Sequence, residues 1–191
     1  VNAAIGLGRG VAGGVRGAAR LLVGVAPRPS DIAETPDSVL HSFAAALFCL
    51  PGLGFSRWLD WRDQGPASPI WHAASVNLGL FVIGWVAFLL LARVTLQNTN
   101  EMRAWPRLVA VWNWCNLAQY AVQFLGDQFQ LFHAAPFTLN VVGLVSLFWQ
   151  TWIEWCALRV VLSSPWIAAL LLGFDFVLGI LGQSLAVSLG G

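Results

Sequence analysis

The chain has 191 residues, 58% of them hydrophobic and only 10% charged, with a mean hydropathy of +0.70. A soluble domain carries about 25% charged residues, so the composition is that of a membrane protein and leaves no room for a soluble catalytic domain of ordinary size. The net charge of +1 gives no basis for nucleic-acid binding. All ten basic residues are arginine, a bias that points to a G+C-rich bacterial genome.

Residues 1–35 form a Gly/Arg-rich segment distinct from the rest. At 100° per residue, Arg9, Arg16 and Arg20 fall within about 40° of one another, while Leu7, Val11, Ala18, Leu22 and Val25 lie opposite. This is the pattern of an amphipathic helix in the membrane interface, its arginines contacting lipid phosphates. The glycines between Gly6 and Gly24 each weaken a helix by up to ~1 kcal/mol relative to Ala. The segment is therefore expected to fold only on lipid or against a partner. Gly8, Gly10 and Gly13 fit G-x-G-x-x-G, but no strand precedes them, so a dinucleotide site is not expected.

Residues 36–191 read as a five-helix transmembrane domain with spans at about 36–58, 69–92, 106–125, 136–161 and 165–187. Each opens with a proline, which is tolerated at a first helical position because its missing N–H would be unpaired there. A hydrocarbon core of ~30 Å needs about 20 apolar residues, and every segment supplies them. Thr35 and Ser164 precede their prolines as helix N-caps. The fold class is thus all-α integral membrane protein, with five spans preceded by an interfacial helix.

Arginine placement sets the orientation. With the N-terminus inside, Arg9, Arg16, Arg20, Arg28, Arg93, Arg103, Arg107 and Arg159 lie inside. Arg57 and Arg62 lie outside, among Asp60 and Asp63. The expected location is a bacterial inner membrane, cytoplasmic or intracytoplasmic, with the C-terminus outside.

Polar residues within spans mark helix contacts or function, because each is costly against lipid. In the third span Asn113, Asn116, Gln119, Tyr120 and Gln123 project within about 120° and are expected to bond across helices. In the fourth, Gln150 and Glu154 are one turn apart, and Glu154 is expected to pair with Arg159. In the fifth, Asp175 shares a face with Ala168, Gly179, Gly182 and Ala186, a small-residue packing seam. Asp175 is expected to be buried there, neutral, and bonded to an amide of the third or fourth span. It has no second carboxylate at its depth in this reading.

No metal site is expected, because Cys49, Cys115 and Cys156 lack neighbours at ligand spacing. His41, His72 and His133 do not pair at matched depth on facing helices, as a bis-histidine haem requires. No cofactor is indicated and no nucleophile has a nearby base, so catalytic residues are none and the protein is read as not an enzyme.

Five spans with the N-terminus inside, a Pro-Asp start at Pro36-Asp37, and the element Ala110-Val111-Trp112-Asn113-Trp114 resemble the Yip1-type five-helix membrane proteins and uncharacterised bacterial proteins of that shape. The resemblance implies membrane organisation or partner recruitment. The leading functional expectation is a non-enzymatic accessory or scaffold subunit of a larger membrane complex, respiratory or photosynthetic in kind. Its partners would be lipids and other integral membrane subunits, with no nucleic acid. A small proton- or cation-coupled transporter using Asp175 and the third-span stripe is the alternative.

Overall fold

The structure is a computed structural model that describes residues 2–28, 30–32, 35–62 and 65–190, with the side chains of residues 2–7 and of Pro36 excepted. Leu7 and Asp63, used above, lie outside what is described. Every regular element among the described residues is helical: α1 Asn2–Leu22, α2 Pro36–Ser42, α3 Ala44–Arg62, α4 Ile70–Asn98, α5 Trp105–Leu131, α6 Pro136–Val161 and α7 Pro165–Ser188, with a 3₁₀ turn over Met102–Ala104 before α5.

Local sequence explains the boundaries. Thr35 caps α2 in a reciprocal capping box with Ser38, as the Thr-Pro-Asp start implied. Ser164 stands at the α7 N-cap in extended conformation but makes no side-chain cap bond. Three helices end in the same way. The amide of Glu101 bonds Leu96 O, that of Ala134 bonds Phe129 O, and that of Val25 bonds Arg20 O. Asn100, His133 and Gly24 supply the left-handed residue each such cap needs.

Four segments are long and apolar enough to cross a membrane: Asp37–Arg62, Ile70–Asn98, Pro136–Val161 and Pro165–Ser188. That is consistent with a multi-pass membrane protein. The first expected span is divided, because the chain turns at Phe43 between α2 and α3. The second starts at Ile70 with Pro69 as its N-cap, one residue later than expected, and runs on to Asn98.

The remaining expected span, α5, lacks the hydropathy of the other four, and its place in the fold explains why. It is the central helix, packed on α6, α3, α1 and α2, with Leu108 to Asn116 buried without interruption. A helix wrapped by others needs little lipid-facing apolar surface and can hold amides that its neighbours satisfy. Parallel packing of α2 and α3 on α5 pairs Ser42 of α2 with Asn113 and Ser56 of α3 with Asp127. Antiparallel packing of α6 on α5 pairs Gln119 with Glu154 and Gly126 with Ser146. The aromatic core sits between α4 and α5, where Phe88 stacks on Trp112 at 4.0 Å and 8°, and Trp85 meets the same indole at 5.4 Å.

The Gly-rich α1 departs from expectation. Its glycines are its contact face: a Cβ built on Gly14 would come within 1.8 Å of the Trp114 ring, and one on Gly10 within 2.5 Å of His41. Trp149 Nε1 of α6 donates to Leu22 O at 2.9 Å, fixing the end of α1. The partner that a weak helix requires is therefore the bundle itself.

Candidate functional site

The amide stripe of α5 turns inward and continues further than its expected end. Asn113, fully buried, donates through Nδ2 to Ser42 Oγ at 2.8 Å. Asn116 donates to its own helix, at Trp112 O. From there the polar groups connect laterally. Gln119 Nε2 lies 3.3 Å from both Gln150 O and Glu154 Oε2. Gln150 Nε2 donates to Gln123 Oε1 at 3.3 Å, and Gln123 Nε2 donates to Asp127 Oδ1 at 2.7 Å. Ser56 of α3 donates to the other Asp127 oxygen. A hydrogen-bonded ladder thus runs from Glu154 to Asp127 along the α5–α6 contact.

Asp127 and Ser56 are absent from the sequence expectation, because a third span ending at 125 excludes the carboxyl. Asp127 is four residues beyond Gln123 and extends the same helical face, a spacing that is enough to find it. The α5 helix continues to Leu131, which carries the carboxyl into the protein at 8% exposure.

Glu154 does not pair with Arg159. The Arg159 guanidinium instead donates to Leu162 O and Ser163 O, where it closes the end of α6. Glu154 is one turn further in, 3% exposed, and its carboxyl lies near that of Asp175 of α7, with which it lines one groove. Two carboxylates offer only acceptors and repel when both are charged, so neither can satisfy the other without a proton. Among the described residues no hydrogen bond is seen from Asp175 to an amide of α5 or α6, and the second carboxyl near it is Glu154. The Trp112 indole N–H approaches the same Glu154 carboxyl but closes no hydrogen bond, and Glu154 Oε1 likewise has no donor among the described residues.

The small-residue face of α7 closes at its ends and opens in the middle. Ala168 and Ala186 are buried, but a Cβ on Gly179 or Gly182 would meet nothing within 4 Å. The opening is a pair of grooves on either side of Asp175. One, between α6 and α7, has a volume of about 910 Å³ and exposes Gln150, Glu154 and Asp175 beneath Leu147, Phe148 and Phe176. The other, of about 280 Å³, lies between α4, α5 and α7 and is lined by aromatic and amide side chains. Asp175, Gly179 and Gln183 line both.

The arginines expected at lipid phosphates turn partly inward. Arg16 Nε is 3.6 Å and Arg20 Nε 4.0 Å from the Asp31 carboxylate, and Arg20 also donates to Ala26 O. Arg9 is exposed and lines a small pocket with Asp31 and Trp114. Cys49 and Cys115 are buried and Cys156 half-buried, all as free thiols. Among the described residues no three His, Cys, Asp or Glu side chains group as metal ligands.

Comparison with protein-family models, curated proteins and solved structures gave no match.

Proposed function

We propose that the chain is a five-span integral membrane protein of a bacterial inner membrane that works as a small proton- or cation-coupled transporter. The fifth span is α5. Its 27 residues are about 40 Å long at 1.5 Å per residue, and it lies antiparallel to α6, one of the four apolar helices, along most of that length. Where α6 crosses a bilayer, α5 crosses with it. In this reading α1 rests at the interface on the cytoplasmic side, held to the bundle by its glycine face.

One observation carries the transport reading: two carboxyl groups, those of Glu154 and Asp175, line the same groove between α6 and α7. Placing a buried acid, Glu154, beside a half-buried one, Asp175, in an apolar helix bundle is costly unless the site does something with the charge. The ladder from Glu154 through Gln119, Gln150 and Gln123 to Asp127 supplies polar side chains from the acid pair toward the far end of α5. The cavity of about 290 Å³ beside Gln123, Asp127 and Gln130 is polar and large enough to admit water at that end.

The accessory-subunit reading draws on the same larger groove. Gly173 and Gly179 present open backbone, and a partner helix seated there would cover Leu144, Phe148 and Phe176. It loses its other support, since α1 finds its contact within the chain.

Purified protein in liposomes tests the choice. Proton flux into acid- or cation-loaded vesicles should be lost in Glu154→Gln and in Asp175→Asn while both proteins stay monodisperse. Wild-type flux in both variants would defeat the transport reading. Native gels of gently extracted membranes would show a larger assembly if the subunit reading holds.

A further inference from the structure

The smaller groove is built differently from the larger one. Its walls combine Phe81 and Trp85 of α4 with Trp112 and Tyr120 of α5, and Asp175 of α7 faces it. The rings pack on one another: Phe81 lies 5.6 Å from Trp85 and 6.1 Å from Tyr120, and Trp85 meets Trp112 at 5.4 Å. The two asparagines at the groove add acceptors. Asn77 Nδ2 donates to Ala73 O at 2.9 Å and Asn116 Nδ2 to Trp112 O at 3.0 Å, so the amide nitrogens are turned to their own helices and the oxygens remain for the groove. Aromatic faces, amide oxygens and a carboxyl all favour positive charge and offer little to an anion. Arg57 also lines the groove; its Nη1 is paired with Asp60 at 3.2 Å, while its Nε has no hydrogen-bond partner among the described residues.

We propose that this aromatic groove binds a small organic cation of the quaternary-ammonium class, with Asp175 as its counter-charge. The proposal rests on the transport reading above and deepens it by naming the class of substrate. At about 280 Å³ the groove suits a compact ammonium head. A quaternary ammonium has no N–H to donate, and aromatic faces attract it through their quadrupole without needing one. Trp112 is buried and stacked on Phe88, so the rings are held in place before the ligand arrives.

Asp175 then has two alternative partners. In this proposal one proton is held between its carboxyl and that of neighbouring Glu154 while the groove is empty. When the cation enters from the opposite side of α7, the carboxyl becomes its counter-ion and the shared proton leaves. One cation enters and one proton departs, so the charge of the site is conserved. Affinity should fall as pH falls, because protons compete for the same carboxyl pair. The titratable groups facing Asp175 are Glu154 of α6, Cys115 and Tyr120 of α5, and Arg57 of α3. From α4 the lining residues Asn77, Leu80, Phe81, Gly84 and Trp85 carry no titratable group.

The test compares choline with its uncharged carbon isostere, 3,3-dimethylbutan-1-ol, on the detergent-solubilised full chain, read by tryptophan fluorescence and by proton release into weak buffer. Choline should bind saturably, quench fluorescence and release protons. The isostere should bind more than about tenfold more weakly, the loss expected for about 1.4 kcal/mol of charge recognition. Asp175→Asn should abolish the proton release and weaken choline binding to a similar degree. Trp85→Phe should retain binding and Trp85→Leu should lose it, a pair that decides the matter even if Asp175→Asn does not fold. Equal binding of choline and the isostere, or no saturable choline binding by the wild type, would overturn the proposal. Choline binding without proton-coupled flux in liposomes would sink the transport reading alone. Glu154-dependent flux without choline binding would sink the cation site alone.

Discussion

Gly14 of α1 lies so close to the indole of Trp114 on α5 that a Cβ in its place would stand 1.8 Å from the ring. Glycine at this position is a steric requirement, since the ring belongs to the central helix and is itself buried. Gly8, six residues earlier, faces open space, where an added methyl would meet nothing within 4 Å.

The two glycines should therefore respond oppositely to alanine. Gly14→Ala should cost about 1–3 kcal/mol through overpacking and expose the segment after Leu22 to protease. Gly8→Ala should stabilise α1 by up to ~1 kcal/mol through helix propensity. Thermal melting with limited proteolysis measures both. Changes of the same sign would show that α1 does not dock on Trp114.

Asn113 and Ser42 form a second junction, between α5 and the end of α2. The Asn113 Nδ2 to Ser42 Oγ bond is 2.8 Å and buried, and Ser42 Oγ donates its own proton to Val39 O at 2.6 Å. Either alanine substitution should cost about 1–3 kcal/mol by leaving a buried polar group unpaired. A double-mutant cycle should give a coupling of about 0.6–1.7 kcal/mol, the range for polar contacts between membrane helices. Asn113→Asp should be at least as damaging as Asn113→Ala, because it faces an acceptor with another acceptor. A coupling of zero would mean that the contact does not form.

Topology can be checked at two exposed positions. Asn98, the last residue of α4, and Ala135, the N-cap of α6, flank α5. If α5 crosses the bilayer, Asn98→Cys should be labelled by an impermeant thiol reagent only from the cytoplasmic side and Ala135→Cys only from the other. Replacing half-buried Cys156 with serine first removes the background most open to the reagent. Labelling of both from one side would reduce the protein to the four apolar spans.

Much of this is legible in the residues alone. Apolar runs of bilayer length, divided by prolines, place the starts of α6 and α7 at Pro136 and Pro165 and that of α2 at Pro36. The Thr35 cap follows from its spacing to Pro36. These features are local: backbone hydrogen bonding and the missing proline N–H act within one turn. The inward face of α5 is also legible, since amides at helical spacing cannot all be left to lipid.

Only the tertiary structure decided what those groups meet. Helix periodicity gives the direction of a side chain about its own axis but not which helix stands opposite, nor at what height. Nearness in sequence pairs Glu154 with Arg159. The fold instead places Arg159 at the carbonyls of Leu162 and Ser163, just past the end of α6, and sets Glu154 near Asp175, 21 residues on in the chain. The glycines of α1 look like a weakness of the helix, and contact with Trp114 makes them its binding face. Whether Gly179 and Gly182 close a seam or border a groove depends on how far α6 stands from α7. That distance is set by tertiary packing, which no single segment encodes.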